Sequence, residues 1–379
     1  MTAKKIISLF LVLVMVGSTT TPVIATKIAE NKPIPAKEKS ELHKDIEIIK
    51  IDPNLENLTP YWIIIAVGSE EKGRLTTFKY IDTSKSLKDY EKEELKRFLQ
   101  ELWKKYPVKT IRDKKSTLVT IESGNEILLT EEDKIMLERV AMAVNEYFSS
   151  KYEIGILWNV DTHQSVAFIS CKKWGESDYY CGITRDHADD PDYWTQIPPP
   201  PGYPEWYWNF IMQVVHSWTH YYNPDWATGS APSECKYYAN VAKSKYSSGD
   251  KYSAFQNLGY ASHFITDVGN PLHTGLESWQ AVFSSIHYSH ENYISSNWES
   301  GYRFKSVIEN NWYYYPISNP EQATKDLATY SHQYDDTVFW TIYNNPNTWQ
   351  NDQNLRKVTE NCLLETAKYS LGLIKYLRG

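Results

Sequence analysis

In the last third of this sequence His263 and His287 each stand four residues before a carboxylate in a stretch patterned as a helix, and these two pairs narrow the possible folds more than any other feature. His263 precedes Asp267, and His287 precedes Glu291. On a helix a side chain four positions on lies one turn away on the same face, so both pairs ask for helices that turn those faces toward one point. Between them Asn270-Pro271 stops the first helix, and His273 arrives from the loop beyond. One such pair is ordinary on a surface or in a hydrogen-bonded core. Two pairs, with a third imidazole after a helix-ending proline, point to a metal cluster. Neutral nitrogen and anionic oxygen together suit zinc, a borderline-soft ion with no geometric preference of its own.

The rest of the sequence divides near residue 157. Before it stand 25 basic and 24 acidic residues, one histidine and no cysteine; after it stand 15 basic and 23 acidic residues, nine of the ten histidines and all four cysteines. An acidic second part argues against holding long polyanions through bulk charge, although bound metal ions would reverse that sign locally. Residues 1–25 read as an export signal: Lys4 and Lys5, an apolar core from Ile6 to Val16, and a small-residue site at Val23-Ile24-Ala25. The apolar run is roughly half of the ~20 residues a membrane span needs, and no other stretch is long enough, so a secreted protein is expected. In that setting four cysteines are compatible with two disulfides, Cys171–Cys181 and Cys235–Cys362 being the expected pairing.

Residues 26–47 read as a polar linker. Tyr61 to Val67 reads as a buried strand, with Leu75 to Ile81 as its partner. Leu87 to Tyr106 and Glu131 to Phe148 read as helices, and Leu118 to Thr130 as a hairpin around Gly124-Asn125. Residues 26–157 therefore make a small α+β propeptide or accessory segment without catalytic spacing. From Trp158 the pattern is helical, with helices expected at 162–172, 208–219, 231–247, 250–267, 281–297, 320–342 and 355–377, and a long irregular loop at 186–207. The expected fold class is mainly α: an all-helical domain over 158–379.

The segment His263, Asp267, His273 followed fourteen residues later by His287 and Glu291 resembles the zinc-dependent phospholipase C family, which includes the clostridial alpha-toxins and is related to fungal zinc nucleases of single strands. The nucleases place their next pair after a longer gap, which favours the phospholipase branch. Thr219-His220-Tyr221-Tyr222-Asn223-Pro224-Asp225 resembles the family segment in which a ligand histidine precedes an aromatic residue and Pro-Asp, and Trp158 to His163 resembles its mature N-terminus. The resemblance implies cleavage before Trp158, whose amine and carbonyl then bind metal beside His163. It also implies a ligand aspartate between His163 and His220. Asp186 fits a Gly-Ile…Asp…Pro reading and Asp192 an Asp-Tyr reading, with Glu205 a further acid in the same stretch; the gaps on either side differ from those usual in the family.

By that resemblance three Zn2+ ions are expected. Asp186 (or Asp192), His220, His263 and Asp267 would hold one, Trp158, His163 and a bridging Asp267 the second, and His273, His287 and Glu291 the third. Asp186 or Asp192 would orient or deprotonate the attacking water. Aromatic residues near the site, Tyr193, Trp218 and Tyr222 among them, would bind substrate by caging a choline-like cation, by resting on lipid or by stacking bases. The implied activity is hydrolysis of the glycerol–phosphate bond of phosphatidylcholine-like lipids by a monomer that touches a membrane surface peripherally. An extracellular single-strand nuclease or a non-catalytic metal-binding domain are the alternatives. Neither GxSxG nor a P-loop is present to suggest another chemistry.

Overall fold

The computed structural model describes residues 48–51, 61, 64–65, 68, 71–112, 116–121, 127–152, 160–194, 219–275 and 285–379. The described residues fall into two compact units, one before Glu146 and one made of Glu146–Thr195 and His216–Gly379. No helix among them is long and apolar enough to cross a membrane. The signal, the linker, Trp158, Glu205 and Trp218 lie outside the described residues, as do most of the expected loop beyond 194 and nearly all of the 208–219 helix.

The first unit mixes strand and helix. In chain order it contains β1 (Ile48–Ile51), α1 (Glu71–Thr83), α2 (Asp89–Lys105), β2 (Val108–Arg112), β3 (Ser116–Ile121) and the larger part of α3 (Glu131–Tyr152), up to Asn145. β3 lies in the middle of the sheet, parallel to β1 and antiparallel to β2. The 87–106 and 131–148 helices are where periodicity puts them, with Leu95, Leu99 and Leu102 of α2 buried one turn apart. The expected strands differ. Leu75 to Ile81 is helical within α1, and Ile64 and Ile65 sit in a helical turn, buried. β-branched residues prefer strands only weakly, and burial met their demand in a turn instead. Leu118 pairs with Ile111 of β2, so the antiparallel partner of β3 precedes it in the chain, while Gly124-Asn125 lies outside the described residues.

The second unit is helical throughout its described elements: α4 (Val160–Lys173), α5 (Asp178–Asp186), α6 (Asp190–Tyr193), α7 (Ala231–Ser247), α8 (Lys251–Asp267), a 3-10 turn at Pro271–His273, α9 (Ser285–Ser296), α10 (Lys305–Asn310), α11 (Pro320–His332), α12 (Asp335–Asn344) and α13 (Gln353–Arg378). The single 320–342 helix expected from the sequence is two, α11 and α12.

α8 begins where the Asp250 carboxylate accepts from the Ser253 N–H at 3.2 Å. From Ala261 to Asp267 every residue is buried, the mark of a helix enclosed on all sides. Gly259 makes that enclosure possible, because a Cβ there would lie 2.7 Å from the Thr184 carbonyl oxygen at the end of α5. One core cluster gathers Phe255, Leu258, Phe264 and Val268 with Tyr238, Leu327 and Leu377; a second gathers Leu272, Tyr293, Phe339 and Leu363. α13 serves both clusters. Between Val268 and Leu272 the chain passes from the first to the second, and Asp267 and His273 flank that passage.

Cys171–Cys181 forms and ties the end of α4 to α5. The expected Cys235–Cys362 bond does not, because Cys235 lies in the first cluster and Cys362 in the second, each a buried free thiol. Thiol titration without reductant should therefore find two reactive thiols per chain, and only after unfolding; none would mean that a second disulfide exists, and four that the first does not. Replacing Cys171 and Cys181 by Ala is expected to cost about 2–3 kcal/mol in denaturant unfolding, from the loop entropy returned to the unfolded chain.

Candidate metal centre

Three groups of side chains in the second unit bring ligand atoms within 4.8 Å of one another: Asp192 with His220 and His263, His163 with His263 and Asp267, and His273 with His287 and Glu291. In the first, Asp192 Oδ1 lies 3.5 Å from His220 Nε2 and 3.4 Å from His263 Nε2. In the second, Asp267 Oδ1 lies 3.3 Å from His163 Nε2, and its Oδ2 lies 3.2 Å from His263 Nε2. In the third, Glu291 Oε1 is 2.6 Å from His287 Nε2 and 3.1 Å from His273 Nε2. His163 and His263 stack face to face at 4.2 Å, so the first two groups adjoin.

Local sequence explains each placement. On α4, His163 shares the stripe of Val166, Ala167 and Ser170, which faces the interior. On α9, Ile286, His290, Tyr293 and Ile294 face the core and carry Glu291 inward beside them. Asp192 is turned in by the single turn of α6, opened by Pro191. His220 precedes a loop closed by the Asn223–Thr228 bridge; Gly229 (φ +99°) is required there, since a Cβ would strike the Tyr221 carbonyl oxygen at 2.1 Å. The Tyr222 N–H then donates to the His273 carbonyl at 3.1 Å, fastening the two ligand loops together.

Backbone carbonyls fix the ring tautomers. A carbonyl can only accept, so His263 donates from Nδ1 to the Ala188 oxygen at 2.7 Å, and His273 from Nδ1 to the His220 oxygen at 2.8 Å. In the neutral rings the lone pair is then on Nε2, the atom aimed at the carboxylates. His263 Nε2, Asp267 Oδ2 and Glu291 Oε2 are buried and make no hydrogen bond of acceptable geometry. The 3.2–3.5 Å separations in the first two groups match the edge of a tetrahedron around an ion with ligands at ~2.0–2.1 Å, about 3.3–3.4 Å. Donor type, burial, tautomer and spacing all fit zinc.

Electrostatics agree. Burial would lower the His263 pKa, but Asp267 and Asp192 raise it well above the ordinary value. Burial would likewise lower that of His273, and Asp267 and Glu291 raise it. Burial would raise the Asp267 carboxyl, yet His263 and His273 hold it well below the usual carboxylate range. His163 moves the other way, lowered by burial and by His263. Raised imidazoles facing a lowered carboxylate mark a cluster whose negative charge a cation would neutralise.

Of the two aspartates expected for the first group, the structure brings in Asp192, 7% exposed, and not Asp186. Asp186 sits at the exposed end of α5, its carboxylate paired with Arg185 at 2.7 Å. The two backbone turns between them point the later aspartate inward. Tyr193 is 44% exposed beside Asp192, whereas Tyr222 is packed into the first core cluster and offers little surface to a substrate. The Ala188 carbonyl that orients His263 has no signal in any side-chain pattern. Nor does the spacing single out Gln164, whose amide donates to Asp189 at 3.1 Å and ties α4 to the Asp192 turn.

No protein-family model matches this chain, and no curated protein does. Among solved structures, alpha-toxin from Clostridium absonum aligns over 58% of this chain and 62% of its own, at 15% identity and a TM-score of 0.37. Alpha-toxin of Clostridium perfringens from avian strain SWCP aligns over 52% of this chain and 63% of its own, at 16% identity and a TM-score of 0.30. The matched region spans less than two thirds of either toxin chain.

Because the facing carboxylates raise the pKa of His263 and His273, zinc must compete with protons there, and its uptake should release protons and tighten as pH rises from 6 to 8. Calorimetry in buffers of different ionisation enthalpy reads the release directly, and uptake without proton release would mean that those rings are neutral beforehand. Asp186→Asn should leave the zinc content unchanged, while Asp192→Asn should lose zinc.

Proposed function

We propose that this chain is a secreted zinc-dependent phosphodiesterase of the phospholipase C type, cleaving the glycerol–phosphate bond of phosphatidylcholine-like lipids. One observation carries the reading: two buried carboxylates, Asp192 and Asp267, each lie within 3.5 Å of two imidazole nitrogens. Asp192, His220 and His263, with Asp267, would hold one ion. Asp267 and His163, completed by Trp158 in the processed chain, would hold a second, and His273, His287 and Glu291 a third. The phospholipase branch, rather than the nuclease branch, is supported by the fourteen residues from His273 to His287 and by the acidic composition after residue 157.

A phosphodiester is anionic and has a poor alkoxide leaving group, and zinc supplies the Lewis acidity that lowers the pKa of water and neutralises phosphoryl oxygens. The chain's own groups do the rest. The Asp192 carboxylate orients the attacking water and takes its proton, the role first expected of Asp186 or Asp192. Phe264 packs edge-on against His263 and at a tilt against His220, holding both rings in place. Tyr193, next in sequence to Asp192 and half exposed, offers its ring face to a quaternary ammonium head group. A cysteine nucleophile is unsupported: Cys171 and Cys181 are bonded to each other, burial pushes the Cys235 thiol up to about 12, and burial raises Cys362 as well.

The test is zinc-loaded, processed protein offered short-chain phosphatidylcholine and, separately, single-stranded DNA. Release of phosphocholine is expected, with turnover lowered by at least about 10²–10⁴-fold in Asp192→Asn, which removes the water-orienting carboxylate and a zinc ligand together, and activity abolished by His263→Ala. Faster cleavage of DNA than of lipid selects the nuclease. Zinc uptake with neither activity selects a non-catalytic metal-binding domain.

A further inference from the structure

His290 stands directly before Glu291 on α9, is 1% exposed, and belongs to none of the three metal-binding groups. Its ring joins three elements: Nδ1 lies 3.1 Å from Asn270 Oδ1 in the turn after α8, and Nε2 lies 3.2 Å from Thr359 Oγ1 on α13. Asn270 Oδ1 also accepts from the Leu272 N–H at 3.2 Å, which identifies that atom as the amide oxygen rather than the nitrogen. The His290 nitrogen facing it is therefore the protonated one and donates.

Asn270 governs how two ligands leave α8. Its N–H donates to the Asp267 carbonyl at 2.8 Å, and its own carbonyl accepts from the His273 N–H at 2.9 Å. Asp267 and His273 thus lie three residues to either side of it, each joined to it by a backbone hydrogen bond. The neighbouring turn has no slack. A Cβ on Gly269 would lie 2.0 Å from Thr366 Oγ1, and the Ser331 hydroxyl donates to the Val268 carbonyl. Against this clamped turn, the bond from His290 to Asn270 is a polar link from α9, one residue from the Glu291 ligand.

We propose that His290 is a positioning residue: through its Nδ1–H bond to Asn270 it sets the separation between Glu291 on α9 and His273 on the turn, so that the third group fits its ion. The proposal rests on the metal reading above. Ligands carried by separate elements must be held to within about 0.5 Å, and removing an outer hydrogen bond that orients them costs roughly 10–100-fold in metal affinity.

Two substitutions separate this role from simple packing. His290→Asn keeps an amide nitrogen near the Nδ1 position and can still donate to Asn270, while His290→Gln puts its amide near the Nε2 position, toward Thr359, and cannot. The full processed chain is loaded with zinc, the ions are counted by elemental analysis, the weakest is titrated against a chelator, and the melting temperature of the zinc-free chain is measured alongside. His290→Asn is expected to keep the wild-type zinc count, with affinity within a few-fold. His290→Gln is expected to lose one ion per chain or to bind it about 10–100-fold more weakly, with the two zinc-free variants melting alike. Wild-type affinity in both variants overturns the inference and leaves the metal reading intact. A loss common to both, a loss confined to His290→Asn, or one that follows a lower zinc-free melting temperature also overturns it. A wild-type chain that takes up no zinc overturns the metal reading itself.

Discussion

Three carboxylates are buried together in the second unit, and the rest of its structure answers to that fact. Asp192, Asp267 and Glu291 are 7%, 1% and 2% exposed, and each faces imidazole nitrogen rather than water. An isolated carboxylate in such surroundings loses several kcal/mol of hydration, and the loss is tolerable only where positive charge comes in with it. The carboxylates raise the pKa of His263 and His273 for that reason, and a divalent cation would serve the same purpose better. The same burial that makes the centre costly to assemble makes it a strong ligand for a cation.

The surrounding architecture keeps those charges together. α8 brings His263 and Asp267 into the interior, and glycines on it and in the turn just beyond let neighbouring helices approach: Gly259 against α5 and Gly269 against α13. The Cys171–Cys181 bond ties α4, which carries His163, to α5, which leads toward Asp192. Backbone carbonyls of Ala188 and His220 hold the imidazoles in the tautomer that leaves Nε2 available. Moving one of these supports would disturb several ligands at once, because ligands and supports alternate along the chain: His220 is both a ligand and the acceptor for His273.

The helical character of the second unit and the pairs His263/Asp267 and His287/Glu291 were legible because helical periodicity is local. Four residues make a turn wherever the helix finally lies. The strand expected near Ile64 and the single helix expected over 320–342 were misread for the matching reason. Short apolar runs fit a strand or a buried turn equally well, and the break between α11 and α12, at Gln333-Tyr334, bears neither glycine nor proline. The pairing of Cys171 with Cys181 could be guessed from their closeness in sequence. The solitude of Cys235 and Cys362 could not, because the separation of two core clusters is a property of the packed helices.

By itself, then, the order of residues settled which side chains share a helical face and that those of the last third suit zinc. It could not choose between Asp186 and Asp192, which lie six residues apart in one acidic stretch and offer the same chemistry. Tertiary structure chose, because the chain leaves α5, turns at Ala188 under the hydrogen bond from His263, and re-enters through α6, leaving one aspartate in water beside Arg185 and the other between two imidazoles. A buried charge belongs where its partners converge, and convergence of α4, α6, α8 and α9 is a long-range property that no short stretch of sequence contains.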